Sequence, residues 1–167
     1  HQAQACADAK VTLISPFVGR ILDWYKKAEG VEQYPIEQDP GVLSVKKIYH
    51  YYKQQGIHTQ VMGASFRSTA QVLGLAGCDL LTIAPNLLAQ LEQDQQTITA
   101  QLSTATAQQA EKIERAEQTK ASFKAELEQD LMAFQLLQGG IDGFIKAREQ
   151  LSRLLRQSFG IDAEIKA

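Results

Sequence analysis

Residues 11–20 of the chain read VTLISPFVGR, and this stretch decides the predicted fold. The apolar, partly β-branched run at 11–15 is typical of a buried strand, and a helical pattern begins near Gly19. Two further short runs have the same character, TQVMGA at 59–64 and LLTIA at 80–84. Helical patterns separate the three runs, so the sequence predicts parallel strands that alternate with helices.

The helix predicted just before the second strand has clear signals at both of its ends. Apolar residues recur at helical spacing from about residue 41 to residue 54. Asp39-Pro40 favours a helix start, because the Asp side chain accepts hydrogen bonds from free amides and Pro has no amide hydrogen to satisfy. Gly56 is expected to end this helix just before the second strand.

Two shorter helices are predicted farther along the chain. Ser68-Thr-Ala-Gln71 fits a capping box, in which each of the two outer side chains satisfies a backbone amide of the other residue. Gly77 is expected to close that helix, and Pro85 opens the next one. Residues 93–118 are rich in Gln, Thr and Ala with little apolar periodicity, which predicts a polar loop or a weak helix.

The end of the chain regains apolar periodicity. Residues 119–160 are predicted to form two amphipathic closing helices separated by Gly139-Gly140. Three parallel strands cannot cover their own faces and edges, and a complete (β/α)₈ TIM barrel takes about 250 residues. We therefore expect an α/β fold in which residues 1–92 are roughly the last three βα units of such a barrel. Residues 1–167 would then be one partial domain, with further units upstream of His1.

The bulk composition excludes several classes of protein. The chain has 167 residues, 44% hydrophobic and 22% charged, as is usual for a globular protein. Its net charge of -2, with scattered Lys and Arg, gives no basic field for nucleic acid. The sequence has no apolar run of the roughly 18–20 residues that a membrane span needs, and its first ten residues do not resemble a signal peptide. We expect a cytoplasmic protein without nucleic-acid or membrane partners.

Serine and arginine follow the predicted ends of two neighbouring strands. Ser15 ends the first strand and Arg20 lies in the first turn of the next helix, whereas Ser65 ends the second strand and Arg67 follows it. Barrel enzymes keep their active sites at this end of the strands. Free helix amides, a hydroxyl and a guanidinium group together would bind a phosphate.

A purely structural interpretation of the same residues is also open. Arg20 could pair with Asp23 on a solvated helix face, Ser65 could be a simple turn residue, and Arg67 could be solvated. The two cysteines, Cys6 and Cys78, have no neighbouring Cys or His at metal-binding spacing and are expected to be buried free thiols.

Four segments resemble those of class I transaldolases in sequence, order and spacing: LISPFVGRILDWY at 13–25, DPGVLSV at 39–45, VMGASFR at 61–67 and AGCDLLTIAP at 76–85. The resemblance is strong from residue 1 to about residue 92. It weakens in the closing helices and is lost in the Gln-rich stretch at 93–118.

The resemblance implies a transferase of the pentose phosphate pathway. Such an enzyme moves a dihydroxyacetone unit from sedoheptulose 7-phosphate or fructose 6-phosphate to glyceraldehyde 3-phosphate or erythrose 4-phosphate through a Schiff base on a lysine. It implies no cofactor and no metal. The family's lysine, Asp and Glu are expected upstream of His1, so no catalytic residue is expected in this chain. No lysine of the chain is predicted at a strand end, and the chain alone is expected to be inactive.

The same resemblance assigns expected roles to five residues. Arg20 and Arg67 would bind the substrate phosphate with help from Ser65. Ser15 would hydrogen-bond the hydroxyls of the dihydroxyacetone unit, and Phe17 would lie near the reacting centre and influence where water sits. The resemblance thus implies that this chain is a substrate-binding wall with sugar-phosphate ligands.

Two alternatives remain open at this point. One is a non-catalytic sugar-phosphate-binding module, and the other is a relative of fructose 6-phosphate aldolase. Phe17 and the long C-terminal helices favour transaldolase by resemblance, in which case the parent enzyme could be a homodimer. An isolated chain is expected to expose apolar strand edges and therefore to aggregate or fold loosely.

Overall fold

The computed structural model describes residues 1–115 and 118–160. Residues 116 and 117 of the predicted loop, and 161–167 of the predicted domain, lie outside the described residues. The elements follow one another as α1 (Gln2–Asp8), β1 (Leu13–Ile14), α2 (Val18–Glu29), a 3-10 turn (Ile36–Gln38), α3 (Pro40–Gln54), β2 (Gln60–Gly63), α4 (Thr69–Gly74), β3 (Leu80–Leu81), α5 (Pro85–Gln93), α6 (Thr104–Gln109), α7 (Lys120–Gln129) and α8 (Leu131–Phe159). The chain divides into two compact units, His1–Phe123 and Lys124–Ala167.

The first unit is built on one small parallel sheet with strand order β1-β2-β3. The aligned pairs are Leu13 with Gln60, Ile14 with Val61, Met62 with Leu80, and Gly63 with Leu81. A further parallel bridge between Phe17 and Ala64 continues the pairing past the end of β1. The three predicted strands and their parallel direction are therefore confirmed, as an α/β fold with a small parallel sheet.

The core of this unit lies between the sheet and its helices. α3 supplies five of the central side chains, β2 and α4 supply one each, and the last follows α4: Val42, Val45, Tyr49, Tyr51, Tyr52, Val61, Val72 and Leu75. Fully burying one such side chain stabilises the fold by about 1.5–3 kcal/mol. The predicted helix start is confirmed, because Asp39 Oδ1 accepts from the amides of Gly41 and Val42 at 2.8 and 3.1 Å.

Part of the Gln-rich stretch packs into the same core. Leu102 is 2% exposed and Ala107, on α6, is fully buried. The amides of Gln101 and Leu102 both donate to the carbonyl of Ala76, at 2.8 and 3.0 Å. The weak apolar periodicity of this stretch gave no sign of this docking, because it depends on two isolated residues rather than on a repeating face.

The predicted break at Gly139-Gly140 is wrong. α8 runs through both glycines without interruption, and the helix boundary lies instead at Asp130. The Asp130 side chain caps α8 by accepting from the Ala133 amide at 3.0 Å. A glycine inside a helix costs only about 1 kcal/mol, which the long apolar and charged runs on either side offset. Within residues 1–115 and 118–160, none of the helices has both the length and the apolar character of a membrane span.

Candidate functional site

The segments that follow β1 and β2 lie alongside one another. Beyond the ends of the strands, the amide of Val18 donates to the Ala64 carbonyl and the amide of Gly19 donates to the Ser65 carbonyl, each at 2.9 Å. These bonds continue the parallel pairing into the loops. The structure therefore brings together the two segments that carry the predicted Ser and Arg pairs.

Glycine is required where these segments meet. A Cβ atom on Gly19 would lie 2.2 Å from the Ser65 carbonyl oxygen and 2.8 Å from Cγ of Arg67. A Cβ atom on Gly41, at the start of α3, would lie 2.1 Å from the Val18 carbonyl oxygen. The start of α2 is thus held between the end of β2 and the start of α3, at distances that no side chain allows.

Arg67 presents its whole guanidinium group to neighbouring oxygens. Its Nη2 and Nε donate to Asp23 Oδ2 at 2.7 and 3.1 Å, and its Nη1 donates to the carbonyl and Oγ of Ser65 at 3.0 and 3.1 Å. The side chains of Arg67 and Asp23 are 43% and 52% exposed. Such an exposed pair stabilises the fold by about 0–1 kcal/mol. The arginine fork therefore holds the Asp23 carboxylate, in a pair that costs little to give up.

Ser65 adopts a backbone conformation that is unusual for a residue with a side chain. Its φ angle is +63°, in the left-handed region. A conformation of this kind costs on the order of 1–3 kcal/mol and persists only where surrounding bonds fix it. Here the Gly19 amide and the Arg67 guanidinium group both bind the Ser65 carbonyl. Ser65 is thus oriented by the same contacts that join the two loops.

Arg20 and Phe17 form a second pair at the start of α2. The guanidinium carbon of Arg20 lies 4.5 Å from the centroid of the Phe17 ring, in a cation–π contact. Phe17 is 41% exposed, and Ser15 lies directly after β1. The structural alternative in which Arg20 pairs with Asp23 is wrong among the described residues, because Asp23 binds Arg67 instead.

Two buried residues behind Arg67 were not among the candidates from the sequence. The amide of Arg67 donates to Oε1 of Gln71 at 2.8 Å, and Nε2 of Gln71 donates to Oδ2 of Asp39 at 2.8 Å. Gln71 is 1% exposed and Asp39 is 4% exposed. Local sequence patterns could not predict this contact, because Asp39 and Gln71 lie 32 positions apart in the chain.

The predicted capping box at the start of α4 is only half correct. Ser68 Oγ accepts from the Gln71 amide at 3.3 Å, as expected for an N-cap. The Gln71 side chain does not return to Ser68, because its two polar atoms are engaged by Arg67 and Asp39. The capping box needs Oε1 of Gln71 as an acceptor for the Ser68 amide, and this oxygen accepts from the Arg67 amide instead.

In the part of the chain that the structure describes, no lysine directly follows a strand. β1 is followed by Ser15, β2 by Ala64 and β3 by Thr82. Lys53 lies on α3, where it donates to Asp79 at 2.6 Å and lies over the Tyr49 ring. The same residues contain no group of three His, Cys, Asp or Glu side chains that could hold a metal ion. The polar groups that the two loops bring together here are the Arg67 guanidinium group, the Asp23 carboxylate and the Ser65 hydroxyl.

A cavity of about 210 Å³ lies elsewhere in the first unit. It is lined by Leu73, Leu91, Asp94, Thr97, Ile98 and Gln101, among others. None of its lining residues belongs to the loops after β1 and β2. The cavity is thus separate from the arginine-bearing loops.

Comparisons with known proteins agree on one family. The model of the transaldolase/fructose-6-phosphate aldolase family matches residues 1–155. The chain is 53% identical over 157 residues to a transaldolase of Thermosynechococcus vestitus, covering 94% of this chain and 40% of that protein. It is 52% identical over 156 residues to a transaldolase of Cellvibrio japonicus, covering 93% and 48%. It is 53% identical over 155 residues to a transaldolase of Methylococcus capsulatus, covering 93% and 47%.

The chain spans about half the length of the curated relatives it matches. The match nevertheless includes β1, β2, β3 and the loops that carry Arg20 and Arg67. The parallel sheet, the arginine-bearing loops and the extent of the match lead to the same conclusion. The chain belongs to the transaldolase/fructose-6-phosphate aldolase family.

Proposed function

We propose that the protein is a transaldolase and that this chain forms the wall of its active site that holds the substrate phosphate. The enzyme would transfer a dihydroxyacetone unit from sedoheptulose 7-phosphate or fructose 6-phosphate to glyceraldehyde 3-phosphate or erythrose 4-phosphate. The observation that carries this proposal is the Arg67 guanidinium fork. The fork lies after the end of a parallel strand, beside the loop that bears Arg20. The chain that carries it is 53% identical in sequence to a protein named transaldolase.

In this proposal the reaction proceeds through a Schiff base. The amine of a lysine from outside residues 1–167 attacks the ketose carbonyl and water leaves. A carboxylate from outside residues 1–167 takes the proton of the C4 hydroxyl, the bond between C3 and C4 breaks, the iminium accepts its electron pair, and the aldose product departs. The remaining three-carbon enamine then attacks the aldehyde carbon of the acceptor, and hydrolysis frees the lysine. Arg20, Arg67 and Ser65 hold the phosphate, Ser15 binds hydroxyls of the three-carbon unit, and Phe17 limits the positions of water.

The proposal extends to the fold and setting of the whole enzyme. The three βα units would be the last three of a (β/α)₈ barrel, since parallel sheets are covered on both faces and β1 and β3 are sheet edges here. We place residues 1–92 in the barrel and the closing helices after it, within one domain of a cytoplasmic enzyme that could form a homodimer. Sugar phosphates are its proposed ligands, without a metal or a cofactor.

Borohydride trapping tests the chemistry directly. The protein is expressed from its complete gene, incubated with fructose 6-phosphate and reduced with borohydride, which converts a Schiff base into a stable amine. Mass spectrometry of peptides should find the three-carbon adduct on a lysine outside residues 1–167. Failure to trap any adduct, together with absent transfer to erythrose 4-phosphate, would overturn the proposal.

A second candidate is a binding module without catalysis, which is favoured by the fact that no lysine follows a strand in the described part of the chain. Arg67→Lys separates the phosphate site from general effects, because lysine cannot form the two-point fork. The KM for fructose 6-phosphate should rise by about tenfold or more in this variant. Arg148→Lys makes the same exchange on the exposed face of α8 and should leave KM unchanged. Tight phosphate binding by a protein with no transfer activity would favour the binding module.

A further inference from the structure

A buried chain of polar contacts links the start of α3 to the main chain of Arg67. It begins at the amides of Gly41 and Val42, passes through the Asp39 carboxylate and the Gln71 side chain, and ends at the Arg67 amide. Every contact in it is between 2.8 and 3.1 Å. The chain of contacts therefore joins the rigid core to the residue that carries the phosphate-binding fork.

The direction of these hydrogen bonds is fixed by Asp39. A carboxylate only accepts, and its Oδ1 is taken by two α3 amides, so Oδ2 requires a donor. The Gln71 side chain must therefore turn its NH₂ group toward Asp39 and its carbonyl oxygen toward Arg67. That oxygen is what the Arg67 amide needs. Reversing the side-chain amide would place two donors together at Arg67 and two acceptors together at Asp39, at a cost of about 1–3 kcal/mol for each buried group left unpaired.

The side chain of Arg67 has no comparably strong anchor. Its contacts to Asp23 and Ser65 are exposed, and exposed ion pairs hold a geometry weakly. Its main chain, in contrast, is bound by a glutamine that is 1% exposed. The buried contact thus fixes the main chain from which the Arg67 side chain extends, and the exposed contacts hold the guanidinium group at its far end.

We propose that Gln71, oriented by Asp39, is a positioning residue for Arg67 and sets the affinity of the site for the substrate phosphate. The inference rests on the proposed function, in which Arg67 binds that phosphate. Neither Gln71 nor Asp39 touches the substrate. Their effect is exerted through the main chain of Arg67, and it should therefore appear in binding rather than in the chemical step.

Gln71→Leu removes both polar atoms while keeping a similar volume. In the protein expressed from its complete gene, we expect the KM for fructose 6-phosphate to rise about tenfold with kcat changed by less than about twofold, since lost ground-state binding raises KM alone. The Kd for inorganic phosphate, measured by calorimetry, should rise by a similar factor. A residue with a merely structural role would lower the thermal midpoint without this split between KM and kcat.

Gln54→Leu is a matched control. Gln54 is also a bridging glutamine, whose Nε2 donates to the carbonyls of Ala107 and Glu111 and whose Oε1 accepts from the Ile113 amide. It lies at the end of α3, away from the arginine-bearing loops. The Gln54→Leu variant should lose thermal stability to a similar degree and keep the wild-type KM and phosphate Kd.

Asp39→Asn keeps the test decisive if Gln71→Leu fails to fold. Asn remains a good helix cap, so α3 retains its start, but the second polar atom becomes a donor facing the Gln71 NH₂ group. Gln71 can satisfy this new donor only by turning its oxygen toward it, which places its own NH₂ group against the Arg67 amide and breaks the hydrogen bond that holds that amide. We expect the same rise in KM and in phosphate Kd as for Gln71→Leu.

The failures of the two proposals are distinguishable. A wild-type protein without transfer activity would refute the proposed function, and the phosphate Kd of the variants would still test the role of Gln71. If folded Gln71→Leu and Asp39→Asn proteins bind phosphate with wild-type affinity, the positioning role is wrong. A wild-type protein that binds no phosphate at all would overturn it equally.

Discussion

Gly19→Ala perturbs the contact on which the whole site depends. The added methyl carbon would lie 2.2 Å from the Ser65 carbonyl oxygen and within 2.9 Å of two carbon atoms of the Arg67 side chain. The nearest atom belongs to the main chain, so the clash cannot be relieved by turning a flexible side chain. α2 and the end of β2 must therefore separate by more than about 1 Å, because overpacked groups move apart rather than compress.

The cost can be worked out from the contacts that this separation removes. Losing the hydrogen bond from the Gly19 amide to the Ser65 carbonyl costs about 0.5–1.5 kcal/mol, and overpacking costs about 1–3 kcal/mol. Alanine recovers up to about 1 kcal/mol through its better helix propensity. We expect a net loss of about 2 kcal/mol in the free energy of unfolding. The KM for a sugar phosphate should also rise, since the Arg67 side chain is displaced.

Urea unfolding followed by circular dichroism measures this loss. Gly143→Ala is the matched control, because Gly143 is on α8 and a Cβ atom there would meet nothing within 4 Å. That variant should gain about 0.5–1 kcal/mol from helix propensity alone. Equal free energies of unfolding for the two variants would refute the argument from close approach, whatever the value they share.

Three further predictions concern stability and reactivity in the first unit. Burial lowers the pKa of His50 below its usual 6.5, so the stability contributed by its neutral form is present above about pH 6.5 and is lost as the pH falls. The urea midpoint of His50→Phe should therefore fall less between pH 8 and pH 5 than that of the wild type. Burial also raises the pKa of the Cys78 thiol, whose reaction with an aromatic disulfide at pH 8 should be much slower in the native protein than in guanidinium; equal rates would show an exposed thiolate. Gly77 has φ of +95° and a main-chain oxygen 2.0 Å from its would-be Cβ, so Gly77→Ala should lose more stability than Gly30→Ala, where φ is +67° and the space is open. Thermal midpoints that fall equally would mean that the backbone angle alone sets the cost.

Much of the fold could be predicted because its signals are local. The run at 11–15 and the Asp39-Pro40 helix start each depend on a few adjacent residues. The helix start is confirmed, and the run does form a strand, but only Leu13–Ile14 is extended and Leu13 is exposed rather than buried. Strand direction followed from the alternation of strands and helices, since a helical crossover leads back into a parallel strand. Where short-range preferences and tertiary structure agree, the local sequence is sufficient to predict the secondary structure.

The errors arose where distant residues decide the outcome. Glycine preferences predicted a break within α8, but the neighbouring turns continued the helix and the cap at Asp130 set its boundary. The capping motif at Ser68 was recognised, yet the Gln71 side chain is drawn away by a carboxylate 32 positions earlier in the chain. Leu102 entered the core from a stretch without apolar periodicity. Propensity and spacing carry no information on such contacts.

Some features of the candidate site could be predicted from the sequence, whereas others could not. Ser15, Arg20, Ser65 and Arg67 were found because their positions after strand ends are visible in the sequence, and their substrate-binding roles remain predictions. The requirement for glycine at position 19 and the left-handed conformation of Ser65 became visible only in three dimensions. They are the features that bring the two loops into contact.

The exposed ion pair between Arg67 and Asp23 is weak, whereas the main chain around Arg67 is held by hydrogen bonds to buried residues. Asp23 occupies the Arg67 fork, but more than two fifths of each side chain is exposed, so giving up this pair costs only about 0–1 kcal/mol. In the proposed function, a phosphate would compete with Asp23 for the same donors, because it carries more charge than a carboxylate and offers three oxygens to them. The replacement leaves the fork in place, because Arg67 is held from behind by Gln71 and the loop is held by the bond from Gly19 to Ser65. If the proposed function is correct, such a site would exchange one anion for another without rebuilding its main chain, as repeated binding and release of a sugar phosphate would require.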